Sequence, residues 1–172
     1  MAEERGTRDR LLDAFELIIV GAGSRAATLD AVAAEAGVSK GGLLYHFHSK
    51  EALVDAMIER LRHQGDEDVE RMRTAPEGPV TYYLETSVDT GSDFDRALIA
   101  GARIAQDQDQ GARTVMADIR AAWFRVLEDH LGDAALARTI LLIGEGLYFH
   151  DSAGIGDAAS LDQVREVLAR LM

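Results

Sequence analysis

A chain of 172 residues with 18 basic and 30 acidic side chains, and so a net charge of −12, cannot coat nucleic acid indiscriminately, because that demands a broad basic face. Zero cysteines exclude a disulfide framework and a thiolate metal site, which suits the cytoplasm. No apolar run approaches the ~20 residues of a membrane span, and the charged N-terminus from Met1 to Arg10 lacks a signal-peptide core; the expectation is a soluble, globular, cytoplasmic protein with no membrane partner.

Leu11, Leu12, Phe15, Ile18 and Ile19 recur at helical spacing and predict a first helix over about Thr7 to Ala22, stopped by Gly21 and Gly23. A second starts at Leu29, with Thr28 as N-cap and Asp30 in its first turn, and turns Leu29, Val32, Ala33 and Ala36 inward. Gly37 follows where a left-handed residue closes a helix. Ser39 then caps a short third helix in which Leu43 and Phe47 share a face. Gly41 and Gly42 each cost up to ~1 kcal/mol of helix propensity, so packing must hold this helix. Ser49 caps a fourth, with Lys50 in its first turn and Leu53, Met57, Ile58 and Leu61 inward, running to about His63 or beyond.

The stretch TAPEGP, Thr74 to Pro79, holds both prolines of the chain and reads as a linker. Beyond it, helices are predicted near Val80 to Ser87, Phe94 to Gln106, Gly111 to His130, Ala134 to His150 and Leu161 to Arg170, with Gly-, Ser- and Asp-rich loops near Thr90 to Asp93 and Ser152 to Ala159. No strand pattern competes. The expected fold is all-α: a three-helix helix-turn-helix domain at 1–50, a connecting helix and linker at 51–74, and a helical-bundle domain at 75–172.

The acid is unevenly spread. Residues 1–50 carry six basic and seven acidic side chains, against twelve and twenty-three beyond, and from Ser39 to Lys50 there is no carboxylate. The only two lysines, Lys40 and Lys50, lie within that gap. Two short helices separated by Gly37-Val38-Ser39, with Val38 plugging the wedge between them, suit a helix-turn-helix whose second helix enters the major groove of double-stranded DNA. Gly41 and Gly42 would allow close approach to base edges or phosphates. Thr28 and Ser39 present hydroxyls and helix N-terminal amides to phosphate oxygens. Tyr45 and His46 lie on the outward face, His46 divided between a phosphate contact and an inter-helix hydrogen bond. His48 reads as a solvated loop residue, and Val38, Leu43 and Phe47 as core.

The run TLDAVAAEAGVSKGGLLYHFHSKEAL, Thr28 to Leu53, resembles the signature of the TetR family of repressors, which reads like AxxAGVSKGxLYxHFxSKEEL. The resemblance implies phosphate contacts from Thr28, Ser39, Tyr45, His46 and Lys50, and base or groove contacts from Lys40, Gly41 and Gly42. The family often has tyrosine where Leu44 stands and threonine where Gly42 stands. Readout there must be apolar, such as Leu44 against a thymine methyl, or missing. A dimer of this family would bind a pseudo-palindromic operator, its recognition helices one or more DNA turns (~34–36 Å) apart.

In the C-terminal half, the helix from Ala134 to His150 is apolar on more than one face and needs two burial partners. One is its own core; the other, as the resemblance implies, is a symmetry mate in a homodimer, with Ile119, Trp123, Ile140, Ile143, Gly144 and Leu147 as interface candidates. A pocket for a small hydrophobic effector would lie among these helices, and Tyr82, Tyr83, Phe94, Arg103, Gln106, Trp123, Phe124 and Tyr148 could line it. Each aromatic is also a candidate core residue, and Arg103 a candidate partner for a surface carboxylate. Nothing predicts an enzyme: Glu145 and Asp151 lie near His150 but have no nucleophile, the histidines lack metal-ligand spacing beyond His46 and His48, and no metal site or cofactor is expected. The function implied is a ligand-responsive transcriptional regulator, a repressor, with a regulator whose C-terminal domain only dimerises or binds a partner protein as the alternative.

Overall fold

Helical periodicity translates directly into helices: α1 (Thr7–Ala22), α2 (Leu29–Glu35), α3 (Lys40–His46), α4 (Lys50–Thr74), α5 (Pro79–Thr86), α6 (Asp93–Gln106), α7 (Gln110–Leu131), α8 (Ala134–Ser152) and α9 (Ala158–Leu171), with a short 3-10 turn at Ser24–Ala26. The computed structural model describes residues 6–89, 91–156 and 158–171. The parts of the charged N-terminus and of the two Gly- and Ser-rich loops that fall on residues 1–5, Thr90 and Asp157 lie outside the described residues. The fold is all-α, and the described residues contain no strand.

The predicted start and stop signals act as expected. Thr28 Oγ1 accepts from Ala31 N at 3.2 Å, Ser39 Oγ from Gly42 N at 3.1 Å and Ser49 Oγ from Ala52 N at 3.2 Å. Gly37 adopts φ +67° and lets Val38 N reach Ala33 O at 2.9 Å, closing α2. The fourth helix continues beyond His63, running 25 residues to Thr74, because nothing before the linker breaks it; Ala75 to Gly78 do.

The chain divides into two compact units, Met1–Gly65 with Asp93–Ala117, and Asp66–Ser92 with Asp118–Met172. The first unit gathers α1, α2, α3, the first part of α4, α6 and the start of α7. Leu11, Leu12, Phe15, Ile19, Val32, Leu43, Phe47, Leu53 and Met57 form one core with Ala100, Ile104 and Ala112. This differs from a boundary at the linker alone: α6 joins the helix-turn-helix because its inward side is small. A Cβ on Gly101 would lie 2.6 Å from Leu61 Cδ2. Arg103, expected to face a pocket or a carboxylate, instead donates to the backbone carbonyl of Ile19 at 2.7 Å, in the last turn of α1. Glu16, fully buried on α1, accepts from Arg60 Nε at 3.1 Å and Arg96 Nε at 3.2 Å, while Asp13 accepts from Arg60 Nη1 at 2.8 Å.

The second unit has its own core of Met72, Val80, Tyr83, Leu84, Val126, Leu127, Ala137, Ile140, Leu141 and Leu168. Asp133 caps α8 by accepting from Ala135 N and Leu136 N at 2.8 and 3.0 Å. Asp68, 7% exposed, accepts from the Tyr82 hydroxyl and from Trp123 Nε1, both at 2.8 Å. Tyr83 donates its hydroxyl to Leu141 O at 3.1 Å, and burial pushes its phenol well above the ordinary tyrosine range.

Candidate nucleic-acid interface

A helix of seven residues with two glycines does not stand alone, and α3 is held at each end. Ser39 caps its start, Leu43 anchors its inner side at full burial, and Phe47, 3% exposed, turns the chain to extended backbone at its end. What remains outside is the predicted surface: Thr28, Ser39, Lys40, Gly41, Leu44, Tyr45 and His46 are exposed, and Gly42 and Lys50 half-buried. Tyr45 is 86% exposed and Leu44 42%.

The hydroxyls of Thr28 and Ser39 serve as cap acceptors, which leaves each O–H free to donate to a phosphate oxygen. The His46 ring meets the Tyr45 ring edge-on at 5.1 Å, and among the described residues it makes no inter-helix hydrogen bond, so one of its two sequence readings falls away. His48 is exposed and Val38 packs against the core, as predicted.

The two lysines are not free. Lys40 Nζ pairs with Asp30 across α2 and α3 at 3.0 Å, both side chains exposed. Lys50 Nζ donates to Ser24 O, and Ser24 Oγ to the carboxylate of Asp107. Lys50, Ser24 and Asp107 line an open cleft of about 390 Å³ with Val54, Ile104, Gln108 and Asp109. Sequence reading missed Asp30 as the partner of Lys40, and missed Arg8, whose guanidinium lies 5.3 Å from the centre of the Phe47 ring. Asp30 opening α2 and Lys40 opening α3 could have suggested the first; no local signal reveals the second.

Residues 11–57 match the model of bacterial regulatory proteins of the tetR family, and residues 77–172 that of the tetracyclin repressor-like C-terminal domain. The chain belongs to the TetR family. It is a TetR-family transcriptional regulator with a helix-turn-helix DNA-binding domain. It is 37% identical over 62 residues to the HTH-type transcriptional regulator TtgW of Pseudomonas putida, a match covering 36% of this chain and 46% of TtgW, so the matched segment spans under half of that TetR relative. Among solved structures, a transcriptional regulator of Aquifex aeolicus VF5 superposes with a TM-score of 0.73 at 21% identity, over 97% of this chain and 100% of that one. The multidrug binding protein EbrR, solved with malachite green, superposes with a TM-score of 0.66 at 24% identity, over 99% of each chain. These likenesses show the TetR fold.

The residues proposed from sequence for the rest of this TetR chain do not form one group. Phe94, Arg103 and Gln106 belong to the first unit, whereas Tyr82, Tyr83, Trp123, Phe124 and Tyr148 belong to the second. In the second unit the Tyr83 and Trp123 rings lie 5.7 Å apart, and Arg138 stacks 3.9 Å over Phe124. Of the dimer candidates, Ile119 is 5% exposed and Ile140 fully buried, and Trp123 binds Asp68. Gly144 is filled from within: a Cβ there would lie 2.3 Å from Tyr83 Cε1. Its lack of a side chain admits the chain's own tyrosine, not a second helix, and Ile140 likewise has no face to offer one. Ile143 and Leu147 are half-buried. Among the described residues no group of three His, Asp or Glu side chains could hold a metal ion, and no helix is long and apolar enough to cross a membrane.

Proposed function

We propose that this chain is a ligand-responsive repressor, a cytoplasmic homodimer that holds a pseudo-palindromic operator with two copies of α3 and releases it when a small hydrophobic effector enters the second unit. The observation that carries the reading is the outward surface of α3, where Leu44 and Tyr45 stand exposed beside Lys40 on a helix its own caps and core fully support. Thr28, Ser39, Tyr45, His46 and Lys50 contact phosphates, Lys40, Gly41 and Gly42 enter the groove, and Leu44 meets thymine methyls. Gel retardation with the DNA flanking the chain's own gene tests this. Retardation by wild type, lost in a Tyr45→Ala, Lys40→Ala double variant, is expected; an unaltered shift overturns the assignment of α3.

Dimerisation is supported by a row on α8 that the chain's own core leaves open. Ala135, Thr139, Leu142, Gly146 and Phe149 are all exposed, spaced alternately four and three apart, with Leu142 at 54% and Phe149 at 64%. That spacing is the seam of two packed helices, and a Cβ on Gly146 would meet nothing within 4 Å, leaving room for a second backbone. Leu142→Glu is expected to yield monomers in sedimentation.

For the effector, the donors of Tyr82, Tyr83 and Trp123 are already committed to Asp68 and Leu141. A ligand would therefore meet ring faces more than polar handles, and EbrR, of like fold, is solved with the aromatic dye malachite green. The same saturation favours a second reading, in which the C-terminal helices only dimerise or bind a partner protein. Malachite green separates the two: release of DNA on its addition supports a sensor, and binding unchanged across a panel of hydrophobic compounds supports the alternative.

A further inference from the structure

We propose that Arg8, in the first turn of α1 and outside the helix-turn-helix motif, is a DNA-backbone contact at the far end of the recognition helix; this rests on the DNA-binding reading above. Its guanidinium sits 5.3 Å from the centre of the Phe47 ring, and Phe47 is the buried residue that closes α3. The contact fixes Arg8 over the residue that lies between exposed His46 and His48 in the chain, three positions before α4 begins. A ring face attracts the cation yet takes none of its five N–H donors.

Those donors meet no acceptor among the described residues. Elsewhere in the same unit, Arg60 and Arg96 bind Asp13 and Glu16, Arg103 binds Ile19 O, Arg113 binds Ala105 O, and Arg10 reaches Thr7 Oγ1. The motif's own lysines are paired as well, Lys40 with Asp30 and Lys50 with Ser24 O. Among the described residues Arg8 is thus an oriented positive charge at α3 whose fork is open, and a planar fork suits two phosphate oxygens better than any other side chain does. Arg25 is exposed too, but no contact among the described residues fixes its direction.

The test is anisotropy of the full chain with a random-sequence duplex, and with a duplex from the DNA flanking its gene, over a KCl series. Removing one phosphate contact lowers the slope of log K against log salt by ~0.9. Arg8→Gln is expected to show that loss on both duplexes with roughly tenfold weaker binding, Arg8→Lys to retain the slope, and Arg8→Met, whose stem still covers Phe47, to match the glutamine variant. An unchanged slope in the glutamine and methionine variants overturns the proposal, including the case where only the melting temperature falls. So does an equal loss in Arg10→Gln, which would report the general field of the helix end. Wild type with no salt-dependent binding sinks the DNA-binding reading and Arg8 with it. If wild type binds and Lys50→Ala shows a reduced slope while Arg8→Gln does not, Arg8 alone is refuted.

Discussion

The glycines of α8 and of α3 answer to opposite demands. In α8, a Cβ on Gly144 would lie 2.3 Å from Tyr83 Cε1 and 2.9 Å from Ser87 Oγ, space that the second unit fills itself. In α3, a Cβ on Gly41 would come no nearer than 3.9 Å to any neighbour, and one on Gly42 no nearer than 3.4 Å, both ordinary contacts with Ser39 Oγ. Neither α3 glycine has a positive φ. The fold requires glycine at 144 and does not require it at 41 or 42. An unforced glycine costs helix propensity, so its use on an exposed helix points to a demand from outside the chain.

The largest effect expected from this contrast is at Gly144. Gly144→Ala should cost about 2–3 kcal/mol, since the ring of Tyr83 is rigid and bonded to Leu141 O, and lower the melting temperature by about 5–10 °C. Thermal denaturation at wild-type temperature would break the comparison from the core side. Gly41→Ala and Gly42→Ala should do the reverse, raising stability by up to ~1 kcal/mol while weakening operator binding about tenfold, read by melting and gel retardation on the same samples. A variant that gains stability and keeps its affinity would show that these glycines serve no partner.

Charge offers a parallel contrast, with smaller effects. The Lys40–Asp30 pair is exposed and worth ~0–1 kcal/mol to the fold, so Asp30→Asn should leave the melting temperature nearly unchanged. It should tighten duplex binding by roughly two- to fivefold at low salt, because Lys40 is released and a carboxylate is removed from the DNA-facing surface. Glu16 lies at the other extreme. Burial holds its carboxyl above the ordinary value of 4.5, and the pairing with Arg60 and Arg96 offsets this only in part. The folded chain therefore binds this proton more tightly than the unfolded chain. Glu16's contribution to stability is fullest below pH 4.5 and declines as pH rises through its raised value. Glu16→Gln, which keeps shape and an acceptor, should flatten that part of a stability-against-pH curve measured with urea, and an unchanged curve would refute the assignment.

The helices were legible because each carries an inward row at i, i+3 and i+4 and because Thr28, Ser39 and Gly37 are local signals that act over one turn. The helix-turn-helix motif was legible for the same reason, since it is contiguous and its caps lie within it. What could not be read was pairing. Periodicity shows that α6 has an inward side of Ala97, Ala100 and Ile104 but not that this side belongs with α1, so Phe94, Arg103 and Gln106 were grouped with aromatics of the other unit. Gly144 announced a close approach without naming Tyr83 as the visitor. The length of α4 was hidden by its polar second half, where Gln64, Asp66, Glu67 and Glu70 obscure the inward row of Leu61, Asp68 and Met72.

The bond from Arg103 to Ile19 O spans 84 positions. During synthesis the helix-turn-helix residues leave the ribosome long before Arg103, which adds a second hydrogen bond to an Ile19 O already bonded by Gly23 N, and before Ala100, Ile104 and Ala112, which share its core. The helix-turn-helix is therefore complete in sequence well before its core is complete in space. A segment ending at the linker therefore lacks Ala100, Ile104 and Ala112, the share of the motif's core that α6 and α7 supply.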